Sequence, residues 1–191
     1  MAQLCHFQTI RSFLKTSKLY FENNNLKIMA NFSIASPSFN GGEEIPKKFG
    51  YKFENKNPEI DFENVPKDAK SLALIMDDPD AMGAVGKVWV HWLVCNWNPT
   101  KLDIDEGFRR ETYKILMAKK DFGLAEGKTD FGEIGYGGPA PPDKRHTYVF
   151  KAYALDITLD LEEGYSKQEL EDATKGHIIA EAKLTGTYAP D

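Results

Sequence analysis

Cysteine is scarce in this chain of 191 residues: only Cys5 and Cys95 are present, and two cannot build the framework of a disulfide-stapled scaffold. Cys95 lies in an apolar, strand-like run, where a thiol acts as a small core residue, and a reducing compartment such as the cytoplasm is the expectation. No apolar run reaches the roughly 20 residues of a membrane-spanning helix, so integral membrane association is not expected. Positive charge is also short, with 24 Lys and Arg against 29 Asp and Glu and a formal net charge of −5. A nucleic-acid binder needs a concentrated basic face to release phosphate counterions, so no nucleic-acid partner is expected. An anionic ligand has to be held locally, by a few donors in a pocket. Catalytic signatures are missing too: there is no HExxH pair, no GxSxG elbow and no GxxxxGK[ST] loop.

What is present reads as a globular protein. Hydrophobic residues make up 41% and charged residues 28%, ordinary values for a chain long enough to bury one sizeable core. Residues 1–28 stand apart, carrying Arg11, Lys15, Lys18 and Lys27 against only Glu22, without the continuous apolar core of a secretory signal. They are expected to be an extension or a misassigned start outside the fold, an organelle transit peptide being the alternative, with a single domain over 29–191.

From Phe32 onward, short apolar runs broken by turn residues predict a mainly β domain. Ser71 to Asp77 (SLALIMD) reads as a buried strand. Lys87 to Asn96 (KVWVHWLVCN) reads as the strongest one. Its alternation places Trp89, His91 and Leu93 on one face and Val90, Trp92 and Val94 on the other, with one face in the core. His146 to Leu155 (HTYVFKAYAL) is a third, with His146, Tyr148 and Phe150 sharing a face. The Gly- and Pro-rich connection from Pro99 to Arg145 is long enough to suggest a functional role. Ser166 followed by Glu169 predicts a capping box and a short helix, stopped by Gly176, while periodicity leaves His177 to Tyr188 open between helix and strand.

Three features bear on chemistry. Asp77-Asp78-Pro79-Asp80 puts carboxylates at a strand end, where proline forbids further pairing; alone it is an ordinary Asp-Pro turn. His91, between Trp89 and Trp92, and His146 with Tyr148 are polar intrusions into apolar strands, which cost desolvation unless partnered and so favour a shared polar pocket. The run Gly135-Tyr136-Gly137-Gly138-Pro139-Ala140 combines close backbone approach with rigidity and offers amide donors.

In combination and order, DPDA, WVHW, DFGEIGYGGPAPPDKRHTY and VFKAYALD resemble the phosphatidylethanolamine-binding protein family, which includes the Raf kinase inhibitor proteins. SPSFNGGEEIPKKFG, the Asn57-Pro58 pair and the closing GHIIAEAKLTGTY resemble its prokaryotic branch, and the likeness runs from about Ile34 to Tyr188. The resemblance implies a sandwich of two antiparallel sheets with a short C-terminal helix and a small anion-binding cavity. It implies a cavity lined by Asp78, Asp80, His91, His146 and Tyr148, with Trp89 as wall and Gly138-Pro139 as rim. Imidazoles and a phenol can donate to phosphate oxygens, while Asp78 orients a histidine or accepts from an ammonium.

Two departures stand out: Met82 follows DPDA where the family commonly has proline, and Thr147 replaces the arginine of His-Arg-Tyr. The reading is a non-enzymatic binder of a small anionic ligand, phosphate or a phosphorylated headgroup, with no catalytic residue, metal or cofactor. An interaction module acting on a kinase or protease partner is the alternative, and a metal-dependent enzyme using Asp78, Asp80, His91 and His146 stands behind both.

Overall fold

The computed structural model describes residues 17–22, 25–109 and 123–190. The chain forms two compact units, residues 1–32 and 33–191. In the first, β1 (Ser17–Glu22) and β2 (Asn25–Ala30) pair as an antiparallel hairpin, with Ser17 opposite Ala30. The expected domain start, Met29, falls within β2. Cys5, Arg11 and Lys15 lie outside the described residues.

The second unit is mainly β, with two antiparallel sheets. The small sheet has the order β3 (Ser33–Ala35), β4 (Ile60–Glu63), β7 (Asp103–Ile104). The large one has five strands: β10 (Ile178–Tyr188), β9 (His146–Leu155), β5 (Ser71–Asp78), β6 (Trp89–Trp97) and β8 (Ala125–Glu126), in that order. β3 packs beside β10, and Phe39 meets Phe150 of β9 with ring centroids 5.9 Å apart. Of the connection from Pro99 to Arg145, residues 110–122 lie outside the description; the rest carries β7 and β8 and otherwise runs as turns and extended segments.

β5 is buried at every position because it is central in the sheet and covered on both faces, so its sequence is a continuous apolar run rather than an alternation. β6 is likewise buried on both faces, so the expected core face is joined by a second buried one. Its phase also departs from strict alternation. Asp77 pairs with Val90 but Met76 pairs with Trp92, so His91 is an extra residue, a β-bulge. Beyond it the inside and outside exchange. Leu93 joins Val90 and Cys95 in a core cluster with Ala73, Ile75 and Leu170, instead of sharing the face of Trp89 and His91. A second irregularity follows where Leu72 pairs with Trp97 and Leu74 with Val94, and here Asn96 takes a positive φ of 57°. The Asn96 amide repays this local cost by exchanging hydrogen bonds with the backbone of Leu159, 2.7 and 2.8 Å.

Two short helical segments matter for the site. A 3-10 turn, Pro79–Ala81, leads directly into α1 (Met82–Val85), so the segment after DPDA is helical rather than an open loop. α2 (Lys167–Thr174) begins with the predicted capping box: the Ser166 hydroxyl accepts from the Glu169 amide, and the Glu169 carboxylate accepts from the Ser166 amide at 2.7 Å. Gly176, at φ 79°, turns the chain out of it. Residues from Ile178 then form a strand and not a helix, because pairing with β9 along its whole length satisfies the backbone. Buried Asp77 fastens α2 to the sheet by accepting from Lys151 of β9 and Lys167 of α2, both at 2.7 Å. Ser166→Ala is expected to lower stability by about 1 kcal/mol, measured by urea denaturation; an unchanged midpoint would mean that α2 is held by Leu170 and Asp77 alone.

Candidate functional site

The end of β5 supplies a carboxylate with little freedom. Asp78 is the N-cap of the 3-10 turn: its Oδ1 accepts the amides of Asp80 (2.9 Å) and Ala81 (3.2 Å). Its Oδ2 accepts from His146 Nδ1 at 2.7 Å, across from β9. The other ring nitrogen of His146 bonds Asp143 Oδ1 at 2.9 Å. Burial opposes charge on this fully enclosed ring, but two carboxylates, Asp78 and Asp143, outweigh it and raise the pKa above the ordinary histidine value. Asp78, His146 and Asp143 therefore form a chain of alternating charge.

His91 differs in charge. Its bulge is clamped reciprocally by one residue of the glycine loop: the Gly137 amide donates to the His91 carbonyl (2.8 Å), and His91 Nδ1–H donates to the Gly137 carbonyl (2.7 Å). A carbonyl only accepts, so this contact fixes the tautomer, and in the neutral ring Nε2 is an acceptor. Burial pushes the His91 pKa down, against the weaker opposing pull of the Gly137 carbonyl and Asp78. Burial thus favours the neutral ring, while its neighbours fix its orientation.

Between these groups lies a cavity of about 240 Å³, lined by Asp78, Trp89, His91 and Tyr148 together with Ala81, Ala84, Val85, Phe131, Ala140 and Pro142. Phe131 is the hub of the aromatic wall, stacked on Tyr51 (4.0 Å between centroids) and meeting the edges or faces of Trp89 and His91 at 5.4 and 5.5 Å. Two polar atoms of the lining residues, Trp89 Nε1 and the Tyr148 hydroxyl, are buried without a hydrogen-bond partner. The Tyr148 phenol is raised far above its ordinary pKa, first by burial and then by the nearby charge of Asp78.

Of the eight residues expected at the cavity, four line it: Asp78, Trp89, His91 and Tyr148. The other four do not, and each has a different task. His146 stands behind Asp78 and positions it. Asp80 turns away, accepting the Thr147 amide at 2.8 Å. That bond uses the backbone of Thr147, which is why the side chain at this position can depart from the family pattern. Gly138 and Pro139 pack on the loop after Phe49 instead of rimming the pocket: the Gly138 amide donates to Asn55 Oδ1 at 2.8 Å and the Pro139 carbonyl accepts from Tyr51 N at 3.0 Å. The wall is formed one step further on, by Ala140 and Pro142. Asp143 and Phe131 were missed. The only signals in the sequence were an aspartate three residues before the site histidine and an aromatic side chain inside a glycine-rich loop.

Among the described residues, no group of three or more His, Cys, Asp or Glu side chains is arranged to hold a metal ion, and no helix is long and apolar enough to cross a membrane.

Comparison with known proteins agrees with this architecture. The family model described as phosphatidylethanolamine-binding protein matches residues 35–189. A UPF0098 protein of Chlamydia trachomatis is 41% identical over 160 residues, covering 83% of this chain and 99% of its own. One from the archaeon Methanothermobacter thermautotrophicus is 40% identical over 156 residues, covering 82% and 97%. A crystal structure of a C. trachomatis protein described as a phosphatidylethanolamine-binding protein homolog superposes with a TM-score of 0.74 at 39% identity, over 84% of this chain and 99% of that one. E. coli YbcL, described as a new member of the mammalian family, gives 0.74 at 29% identity, over 85% and 100%. With the sandwich, the cavity at the end of β5 and a match across nearly all of the second unit, the chain belongs to the phosphatidylethanolamine-binding protein family.

Proposed function

We propose that the protein is a non-enzymatic binder of a small oxyanion, a phosphate-like group or phosphorylated headgroup, held in the cavity beside Asp78. The observation that carries this reading is the pair of buried, unpartnered donors, Trp89 Nε1 and the Tyr148 hydroxyl, on residues of the cavity wall. Buried polar groups without partners are rare in folded proteins, and two at one cavity fit a ligand that accepts hydrogen bonds from both. The volume favours a small ligand: about 240 Å³ is below the roughly 300–1,000 Å³ of pockets for drug-sized molecules. Ala81, Ala84, Val85 and Phe131 give an organic substituent an apolar surface. The absence of catalysis in this reading rests on commitment of the polar groups. Asp78 and His146 bond each other, and burial makes the Tyr148 phenol a poor nucleophile. Cys95, a buried free thiol, suits a reducing compartment such as the cytoplasm.

Tyr148→Phe tests the reading with two opposite effects. It removes an unpaired buried hydroxyl, so stability is expected to be unchanged or to rise by about 1–3 kcal/mol. It also removes a donor to the ligand, so affinity for inorganic phosphate in isothermal titration is expected to fall about ten- to a hundredfold. Equal phosphate affinity in both proteins would discard this cavity as the binding site.

A further inference from the structure

The polar groups around the cavity include acceptors as well as donors. Of the roughly four lone-pair positions on the Asp78 carboxylate, three are filled, by the amides of Asp80 and Ala81 and by His146 Nδ1. One remains. His91, with Nδ1–H committed to Gly137, keeps Nε2 as the acceptor of its neutral ring. Against these two acceptors stand the two donors, Trp89 Nε1 and the Tyr148 hydroxyl.

Among the described residues, no lysine or arginine lines the cavity. Lys87 lies over the Trp89 ring, 5.0 Å from its centroid, but is paired with Asp130 at 2.7 Å. Arg145, next to the site histidine, is paired with Glu44 at 3.2 Å. Both nitrogens of His146 face carboxylates, so its charge is compensated before any ligand arrives. A dianion entering this space would turn lone pairs toward Asp78 and His91 with no counter-charge to offset them.

Resting on the binding function above, we propose that the cavity selects the proton of its ligand: it takes phosphate or a phosphate monoester that still carries a P–O–H, and rejects oxyanions that carry none. The P–O–H donates to Asp78 or to His91 Nε2, while the remaining oxygens accept from Tyr148 and Trp89. The shared chemistry is a protonated phosphoryl group. Free phosphate and phosphate monoesters supply it near neutral pH. The phosphodiester of a lipid headgroup does not.

Isothermal titration of the whole protein with four probes tests this at constant ionic strength between about pH 5.5 and 8.5: inorganic phosphate, sulfate, methyl phosphate and dimethyl phosphate. Sulfate has no proton to lose over this range, so its own profile reports the protein's groups, His91 with Asp78 and Asp130 around it and His146 between Asp78 and Asp143. The ratio of phosphate to sulfate affinity then isolates the ligand's proton. Phosphate is expected to bind at least about tenfold more tightly than sulfate at pH 6, the worth of one charge-assisted hydrogen bond. The ratio should fall about tenfold per pH unit above the second ionisation of phosphate. Methyl phosphate should bind at pH 6, and dimethyl phosphate, a monoanion without a proton, at least about tenfold more weakly. A ratio near one at every pH, or dimethyl phosphate binding as tightly as methyl phosphate, would sink the selection while leaving an oxyanion site intact. Failure of all four probes to bind would remove the site itself.

Discussion

Replacing His146 with leucine is expected to lower the free energy of unfolding by about 3–5 kcal/mol, the cost of breaking a buried ion pair from one side. The imidazole is fully enclosed and, among the described residues, closes the one charge-compensating contact of Asp78, so its loss strands a carboxylate that is 2% exposed. Leucine fills much of the volume, so the deficit is electrostatic and not a cavity effect. The deficit also has a sign in pH. Because the folded pKa of His146 is raised above 6.5, its contribution is fully present below that value and is lost as pH rises through the folded one. His91 runs the opposite way: with a lowered folded pKa it contributes stability above 6.5, lost as pH falls through the folded value. Urea denaturation at about pH 6 and 8.5 should therefore show the gap between wild type and His146→Leu narrowing at the higher pH. A deficit under about 1 kcal/mol at both would mean that the Asp80 and Ala81 amides suffice to hold Asp78.

Gly138→Ala is expected to cost about 3 kcal/mol or more, the upper end for overpacking. A Cβ at this position would stand 2.1 Å from the Phe49 carbonyl oxygen and 2.7 Å from the Tyr51 amide nitrogen. Those are backbone atoms and have no rotamer to escape into. Relief requires the loop after Phe49 to separate from the glycine loop, breaking the bonds from Gly138 to Asn55 and from Tyr51 to Pro139. The damage should reach the cavity, because Tyr51 backs Phe131. Near-ultraviolet circular dichroism should report the disturbed aromatic wall. A variant with a wild-type spectrum and midpoint would show that the two loops part freely.

Much of this was legible in the sequence where the determinants are local. The capping box at Ser166 and Glu169 needs only residues three apart, and it formed as read. The strands over 71–78 and 146–155 announced themselves through apolar runs bounded by turn residues. β10 stayed undecided because IIAEAKLTGTY has no clean period of its own; pairing with β9 decides it. The phase of β6 was misread for a related reason. A bulge leaves no mark on alternation counted along one strand, since it exists only relative to the partner that lacks the extra residue. At the site, Asp78, Trp89, His91 and Tyr148 could be named because they are exceptions to an apolar background. His146 was named too, but its place behind Asp78 depends on two side chains meeting across strands that lie 68 residues apart. Asp143 shares that obscurity: in sequence it is one more charged loop residue.

The extra residue in β6 divides the labour of one strand. On the N-terminal side of the bulge, Trp89 and His91 face the cavity; on the other, Leu93 and Cys95 face the core. Tolerance to substitution should split at the same point, with changes at Trp89 altering what the cavity accepts and changes at Leu93 altering whether the chain folds. Deletion of the bulge residue, His91, would leave that division in place, because Val90 already pairs with Asp77 and Trp92 with Met76, and a ladder without the extra residue keeps both on their present faces. The strand should still form, and what is lost is one wall of the cavity.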